Sequence, residues 1–319
     1  MRAVDGVSFH VDRGEVVGVV GESGSGKSVM ALSLLRLVPD PGRIVGGRIL
    51  FGRTRQRDVL QLSEAEVREL RGSDVAMIFQ DPTNSLNPIM RVGSQVREAM
   101  AAHQRFTAWE AGQRVIPMLE KVRIMAARRR AISFPHQLSG GMRQRAMLAM
   151  GLSNEPSLLI ADEPTASLDL TVQAEVIELL RDLNRETGTA IVVITHDLSV
   201  VASLCTRTIV MYAGRIVEQG PIRRVFKSPQ HPYTWSLLRS IPRFDGGPGG
   251  PGGPLLTIAG TPPDLADLPA GCKFHPRCRF RTDRCSAEEP PLEHVTGAQE
   301  ARCWVLMRNA LPAREGGPW

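Results

Sequence analysis

Short apolar runs, each closing on polar residues, alternate with stretches of helical periodicity through the first two thirds of the chain. Val16–Val20 (VVGVV) is one such run. It ends at Gly21 and predicts a buried parallel strand. Residues 27–38, dense in Leu, Met and Val, predict a buried helix stopped by Pro39 and Pro41. Residues 75–80, 158–162 and 190–196 predict three more strands. Between the last two, residues 168–185 place Val172, Val176, Leu179, Leu180 and Leu183 at helical spacing, with Gly188 as the stop. Such alternation predicts an α/β sheet covered by helices, with function at the carboxyl ends of the strands. Residues 86–151, rich in Met, Ala and Arg, break the alternation and predict a helical insertion. Residues 208–212 and 216–218, around Gly214, predict a terminal hairpin. The Gly/Pro stretch 245–254 (DGGPGGPGGP) predicts a linker that buries no core. The expected organisation is a main domain over residues 1–228 and an extension over 229–319.

The 319 residues suffice for one large domain with an appendage. No apolar run approaches the roughly 18 to 20 residues that span a bilayer, and the first residues, MRAVD, lack the apolar segment of a signal peptide. The expectation is a cytoplasmic chain whose membrane role comes through a partner. A net charge of +6 leaves nucleic acid open as a partner. However, Lys and Arg are scattered, and the one tight run, Arg128-Arg129-Arg130, reads as a solvated face, so no nucleic-acid partner is expected.

Candidate chemistry changes the picture at Gly21, Glu22, Ser23, Gly24, Ser25, Gly26, Lys27 and Ser28 (GESGSGKS). The glycines let backbone N–H groups turn inward at the start of a helix and cradle phosphates. Lys27 would neutralise phosphate charge and the Ser28 hydroxyl would ligate Mg²⁺. The strand at 158–163 (LLIADE) would deliver Asp162 to the Mg²⁺ shell and Glu163 to the attacking water. The loop sits between a predicted strand and helix, where the mechanism requires it, whereas a strand ending in Asp-Glu is common and becomes specific only when paired with that loop.

At Leu138, Ser139, Gly140, Gly141 and Met142 (LSGGM), followed by Arg143-Gln144-Arg145, the chain resembles the ATP-binding cassettes of ABC transporters. That implies a P-loop NTPase of α/β class: a RecA-like sheet core, a helical subdomain at about 86–151 and here a Cys-rich extension. The family's other motifs occur in its order. Gln80 matches the glutamine that reports on Mg²⁺ and water, Ser167, Leu168 and Asp169 match the D-loop, and His196 matches the switch histidine. The resemblance implies ATP and Mg²⁺ as ligands, with catalytic roles for Glu163, His196 and Gln80. It also implies that the signature residues contact ATP held by a second cassette, so that ATP joins two subunits and hydrolysis releases them.

Finer resemblance points to importers of oligopeptides and dipeptides, through residues 78–88 (IFQDPTNSLNP), 134–145 (FPHQLSGGMRQR), 169–173 (DLTVQ), 231–242 (HPYTWSLLRSIP) and 271–278 (GCKFHPRC). The first of these looks like the D-type cassette. The implied assembly has a second cassette, identical or similar, two membrane permeases that engage residues 81–93, and an extracytoplasmic substrate-binding protein, at the cytoplasmic face of the membrane. Nickel or glutathione importers of the same subfamily remain alternatives, as does a soluble ABC ATPase of DNA repair or translation. In one respect the chain departs from the pattern. Only 20 residues precede Gly21, and Phe9 and His10 are poor substitutes for the aromatic that stacks on adenine in such cassettes. A chain extended upstream by a further strand would bind ATP more tightly.

Cys205 stands alone in the first 271 residues, whereas Cys272, Cys278, Cys285 and Cys303 crowd into the remainder. Cys205 reads as a small buried hydrophobe. The four others, spaced too widely for the tighter pairs of structural zinc sites and placed where disulfides are disfavoured, read as a metal-binding set. Zinc and unliganded thiols stay open on spacing alone. The subfamily resemblance implies a [4Fe–4S] cluster, which would substitute for a core that residues 246–319 cannot build unaided. On this reading ATP binding survives loss of the cluster.

Overall fold

The computed structural model describes residues 1–52, 54, 56–81, 85–103, 106–166, 168–241 and 257–310. Ser167, residues 82–84 of the expected permease-facing passage, and the expected linker 245–254 lie outside them.

In chain order, β1 (Val16–Val20) leads into α1 (Lys27–Leu34), and β2 (Leu50–Phe51), β3 (Arg57–Asp58) and α2 (Glu64–Leu70) precede β4 (Val75–Ile78). Four helices follow: α3 (Val92–Ala101), α4 (Ala108–Lys121), α5 (Ala127–Ala131) and α6 (Gly140–Leu152). Then come β5 (Leu158–Asp162), α7 (Leu170–Thr187), β6 (Ala190–Thr195), α8 (Leu198–Leu204), β7 (Arg207–Tyr212) and β8 (Arg215–Pro221). The chain continues through α9 (Ile222–Lys227), α10 (Pro232–Arg239), α11 (Asp283–Ala287), β9 (Glu293–Thr296), β10 (Gln299–Ala301) and α12 (Met307–Ala310). Among the described residues no helix is long and apolar enough to cross a membrane, and no strand precedes Val16.

Two compact units result. One comprises Val11–Val16 and Ala31–Ile194. Its strands β4, β5 and β6 run parallel in that order, with Ile78 opposite Ala161 and Asp162 opposite Ile194. Their apolar residues are buried, Leu159, Ile160, Val192 and Val193 completely, as a sheet covered on both faces requires. Of the predicted stripe, helix α7 buries Val176, Leu179, Leu180 and Leu183 and leaves Val172 half-buried. It starts two residues later than predicted because Asp169 caps it, accepting from the Thr171 and Val172 N–H groups at 3.1 and 3.0 Å. The helical insertion is present as α3–α6. Helix α1, predicted to reach residue 38, ends at Leu34. There Arg36 takes a left-handed φ of 52° and turns the chain ahead of the prolines.

The other unit comprises Met1–His10, Val17–Met30 and Thr195–Trp319. Here β1 pairs parallel with β7, β7 antiparallel with β8, and the predicted hairpin is the β7–β8 pair. Cys205 is 6% exposed, and burial pushes its thiol up to about 12, so it is the inert hydrophobe expected. The extension continues this sheet: β10 pairs antiparallel with β8, and β9 with β10.

Glu218 of β8, fully buried, fastens that extension. Its carboxylate accepts from the Gln230 and His231 N–H groups at 2.8 and 2.9 Å and from Gln299 Nε2 at 2.7 Å. Burial outweighs those donors and pushes Glu218 up to about 7. Burial, with the Arg302 charge, pulls His231 down to about 3. Glu218 therefore contributes stability that is complete below its ordinary range and lost as pH rises through 7. His231 contributes stability present above about 6.5 and lost as pH falls through 3. His231→Asn keeps a capping acceptor and removes the second effect. Between pH 6.5 and 4.5 the variant is expected to lose about 2 kcal/mol less stability than the wild type. Denaturant titrations at the two pH values measure this, and equal losses would contradict it.

Candidate functional site

The phosphate-loop residues form one continuous turn between β1 and α1. Ser25 N–H donates to the Glu22 carbonyl at 3.2 Å, and Ser25's own carbonyl accepts from Gly214 N–H at 3.0 Å. Gly26 sits at φ +96°, and a Cβ there would run into the Ala3 carbonyl oxygen, so both conformation and space require glycine. Lys27 Nζ is folded onto the loop, donating to the carbonyls of Gly21 and Glu22 at 2.7 and 2.9 Å and to Ser25 Oγ at 3.3 Å. Ser23, Gly24 and Ser28 are exposed at the mouth.

Two residues with no role in the motif bracket this loop. Tyr233, completely buried in the first turn of α10, accepts a hydrogen bond at its hydroxyl from Glu22 N–H at 2.8 Å. Arg277, 5% exposed, grips the Glu22 carboxylate with both terminal nitrogens, at 2.7 and 3.0 Å. The HPY run thus has a local logic. His231 Nδ1 caps α10 by accepting from Tyr233 N–H at 3.0 Å, Pro232 occupies the first helical position, and Tyr233 reaches the loop. Rings of Tyr212, Tyr233 and Phe274 pack with centroids 4.6 to 5.3 Å apart beneath it. His196, exposed, follows the end of β6, and Asp197 then caps α8.

In the other unit, Asp162 is the last residue of β5 and 5% exposed. Glu163 adopts a left-handed φ of 49°, uncommon for a residue with a Cβ, with its N–H donating to the Ile194 carbonyl at 2.8 Å. Gln80 lies two residues beyond Ile78 and Glu163 two beyond Ala161, and those residues are register partners. The structure therefore brings Gln80, Asp162 and Glu163 to the same edge of adjacent parallel strands. Ser139, exposed, caps α6 by accepting from Met142 N–H at 3.3 Å. Leu138 is buried beneath it. Gly141 must be glycine because a Cβ would strike Val172 of α7, and Leu168 of the D-loop lies against Gly140. Asp169 is spent on capping α7.

The four tail cysteines come together. Cys272, Cys278, Cys285 and Cys303 line one small pocket together with Phe274, Phe280 and Trp304. Burial raises Cys272 to about 11 and Cys303 to about 12, so these are protonated thiols unless a metal takes the proton's place. Among the described residues no group of three or more His, Cys, Asp or Glu side chains is arranged to hold a metal ion.

Comparison with known proteins agrees with this geometry. The profile of the family described as ABC transporter matches residues 4–166. That of the oligopeptide/dipeptide transporter C-terminal region matches residues 217–285. The chain is 47% identical to a dipeptide transport ATP-binding protein of Escherichia coli, over 97% of this chain and 92% of that one. It is 48% identical to an oligopeptide transport ATP-binding protein of the same organism, over 98% and 90%. A probable peptide ABC transporter ATP-binding protein of Sinorhizobium fredii is 48% identical over 95% and 89%. Among solved structures, a dimeric ATP-binding cassette in a post-hydrolysis state with ADP and phosphate superposes with a TM-score of 0.58 at 28% identity, covering 69% of this chain and 91% of that one.

Proposed function

The chain belongs to the ATP-binding subunits of ABC transporters, and from that premise we propose that it energises the import of di- and oligopeptides. ATP is bound by the phosphate loop, with Lys27 exchanging its carbonyl partners for phosphate oxygens and α1 offering its N-terminal N–H groups. Ser28, Asp162 and Gln80 are the residues that would hold Mg²⁺, which supplies charge neutralisation on the phosphates. Glu163 orients a water and takes its proton as the water oxygen bonds to the γ-phosphorus and the bond to the β-phosphate oxygen breaks, giving ADP and phosphate. The left-handed backbone at Glu163, held by Ile194, supports that role by fixing where its carboxylate starts. His196 contacts the γ-phosphate. The signature residues Leu138–Met142 and the D-loop at 167–169 serve the ATP of a second cassette. Closing of the two cassettes on ATP shifts the permeases between access states.

The observation that carries the cargo reading is the match of residues 217–285 to the peptide-transporter C-terminal region, because its HPY residues build the bracket on the phosphate loop. The same match disfavours a soluble ABC ATPase of repair or translation. Partners are a second cassette, two permeases and an extracytoplasmic binding protein, with the subunit on the cytoplasmic face. Phe79 and Ile89, 44% and 83% exposed and close in sequence to the expected permease-facing passage, are apolar side chains suited to a permease contact. Residues 1–228 act as the cassette and 229–319 as its extension.

Cys272, Cys278, Cys285 and Cys303 are the residues that would hold a [4Fe–4S] cluster. The pocket they share supports that reading. When bound, the cluster supplies covalent cross-links that order the tail loops.

Deleting the gene tests the cargo: the strain should resist toxic peptide analogues and regain sensitivity when the gene is restored. Intact peptide uptake with failed nickel or glutathione uptake would reassign the cargo and leave the ATPase untouched.

A further inference from the structure

Arg277 lies in a tight turn, His275–Arg277, between Cys272 and Cys278, 255 residues from Glu22 in sequence. Its guanidinium is almost completely enclosed. Beyond Glu22, Nε donates to the Ala259 carbonyl at 2.8 Å, one terminal nitrogen reaches the Tyr212 hydroxyl at 3.3 Å, and the rings of Tyr212 and Phe274 lie 5.9 Å from its carbon. So many fixed partners make it a built feature rather than a surface ion pair. Glu22 in turn is the residue whose carbonyl accepts from Lys27, and it is the second residue of the Gly21–Ser28 loop.

A carboxylate next to incoming phosphates repels them unless a cation neutralises it. We propose that Arg277 is a positioning residue for ATP binding: acting through Glu22, it cancels that charge and fixes the loop's second residue, so nucleotide affinity depends on the order of the cysteine-lined turn. The proposal rests on the reading of Gly21–Ser28 as the ATP site and goes beyond it, since neither motif nor family order assigns Arg277.

A double-mutant cycle on the full-length protein tests it, with the dissociation constant for Mg-ATP measured by calorimetry. Arg277→Ala is expected to weaken ATP binding about five- to tenfold, by exposing the phosphates to an uncompensated Glu22. Glu22→Gln supplies the second background, and its own dissociation constant is the reference for that half of the cycle. The key expectation is that Arg277→Ala then costs less than about twofold in the Glu22→Gln background. A purely structural role for Arg277 would give the same loss in both backgrounds and overturn the proposal, as would wild-type affinity in Arg277→Ala. Arg277→Lys keeps the charge without the two-pronged grip. It is read in the same cycle if the alanine protein melts early, and there a loss unchanged by Glu22→Gln overturns the proposal equally. Lys27→Ala separates the underlying reading: undiminished ATP binding in that variant would remove Gly21–Ser28 as the site and leave the Arg277 cycle uninterpreted as ATP chemistry, overturning both.

Discussion

Glu163→Gln is expected to leave ATP binding within about threefold of wild type and to lower turnover by at least about a hundredfold. The substitution preserves volume and the backbone conformation that φ of 49° imposes, and it removes only the capacity to accept a proton. Asp162, one residue earlier and 5% exposed, keeps its carboxylate, so the Mg²⁺ shell is unchanged. Binding and chemistry therefore separate in this variant. The assembled transporter supplies the assay, with ATP dissociation and phosphate release measured on the same preparation. Turnover near the wild-type rate would take the role of base away from Glu163.

Cys278→Ser is expected to lose the metal content of the tail. Protein purified without oxygen should be brown and carry about four irons per chain, and the variant should be colourless with its extension cut faster by protease. Sequence reasoning treats the extension as separable and expects ATP binding to survive. The structure changes that expectation, because Cys278 adjoins Arg277, whose guanidinium holds Glu22. Loosening the cysteine turn should weaken ATP binding as well, by no more than the several-fold effect of removing Arg277 itself. Colourless wild-type protein with one zinc per chain would overturn the iron–sulfur reading. Undiminished ATP affinity in an iron-free variant would show that the turn keeps its shape without metal.

What was legible in the sequence was local. Strands β1 and β6 show as apolar runs because each is buried along its whole length, as β5 is beyond Leu158, and the phosphate loop and LSGGM show because of their closely spaced glycines. The stripe of α7 is periodic, and its start moved only because Asp169, which matches the D-loop, is also a capping residue. The length of α1 was overestimated, since Leu35 and Leu37 continue the apolar pattern while Arg36 turns left-handed. The contacts around Glu22 were not legible as contacts. Tyr233 and Arg277 lie more than two hundred residues from Glu22, and the runs that contain them, HPYT and GCKFHPRC, announce kinship without stating what they touch. The conformation of Glu163 depends on a carbonyl in another strand, which no pattern around residue 163 reveals.

If ATP hydrolysis at Glu163 drives peptide import, vesicles containing the purified complex should couple the two. With the peptide-binding protein and labelled peptide on the binding-protein side and Mg-ATP on the cassette side, wild-type complex should move peptide across to the cassette side at a rate proportional to phosphate release, and complex with Glu163→Gln should do neither. Peptide import that continues in the Glu163→Gln complex, or ATP hydrolysis by wild-type complex that moves no peptide, would contradict the account.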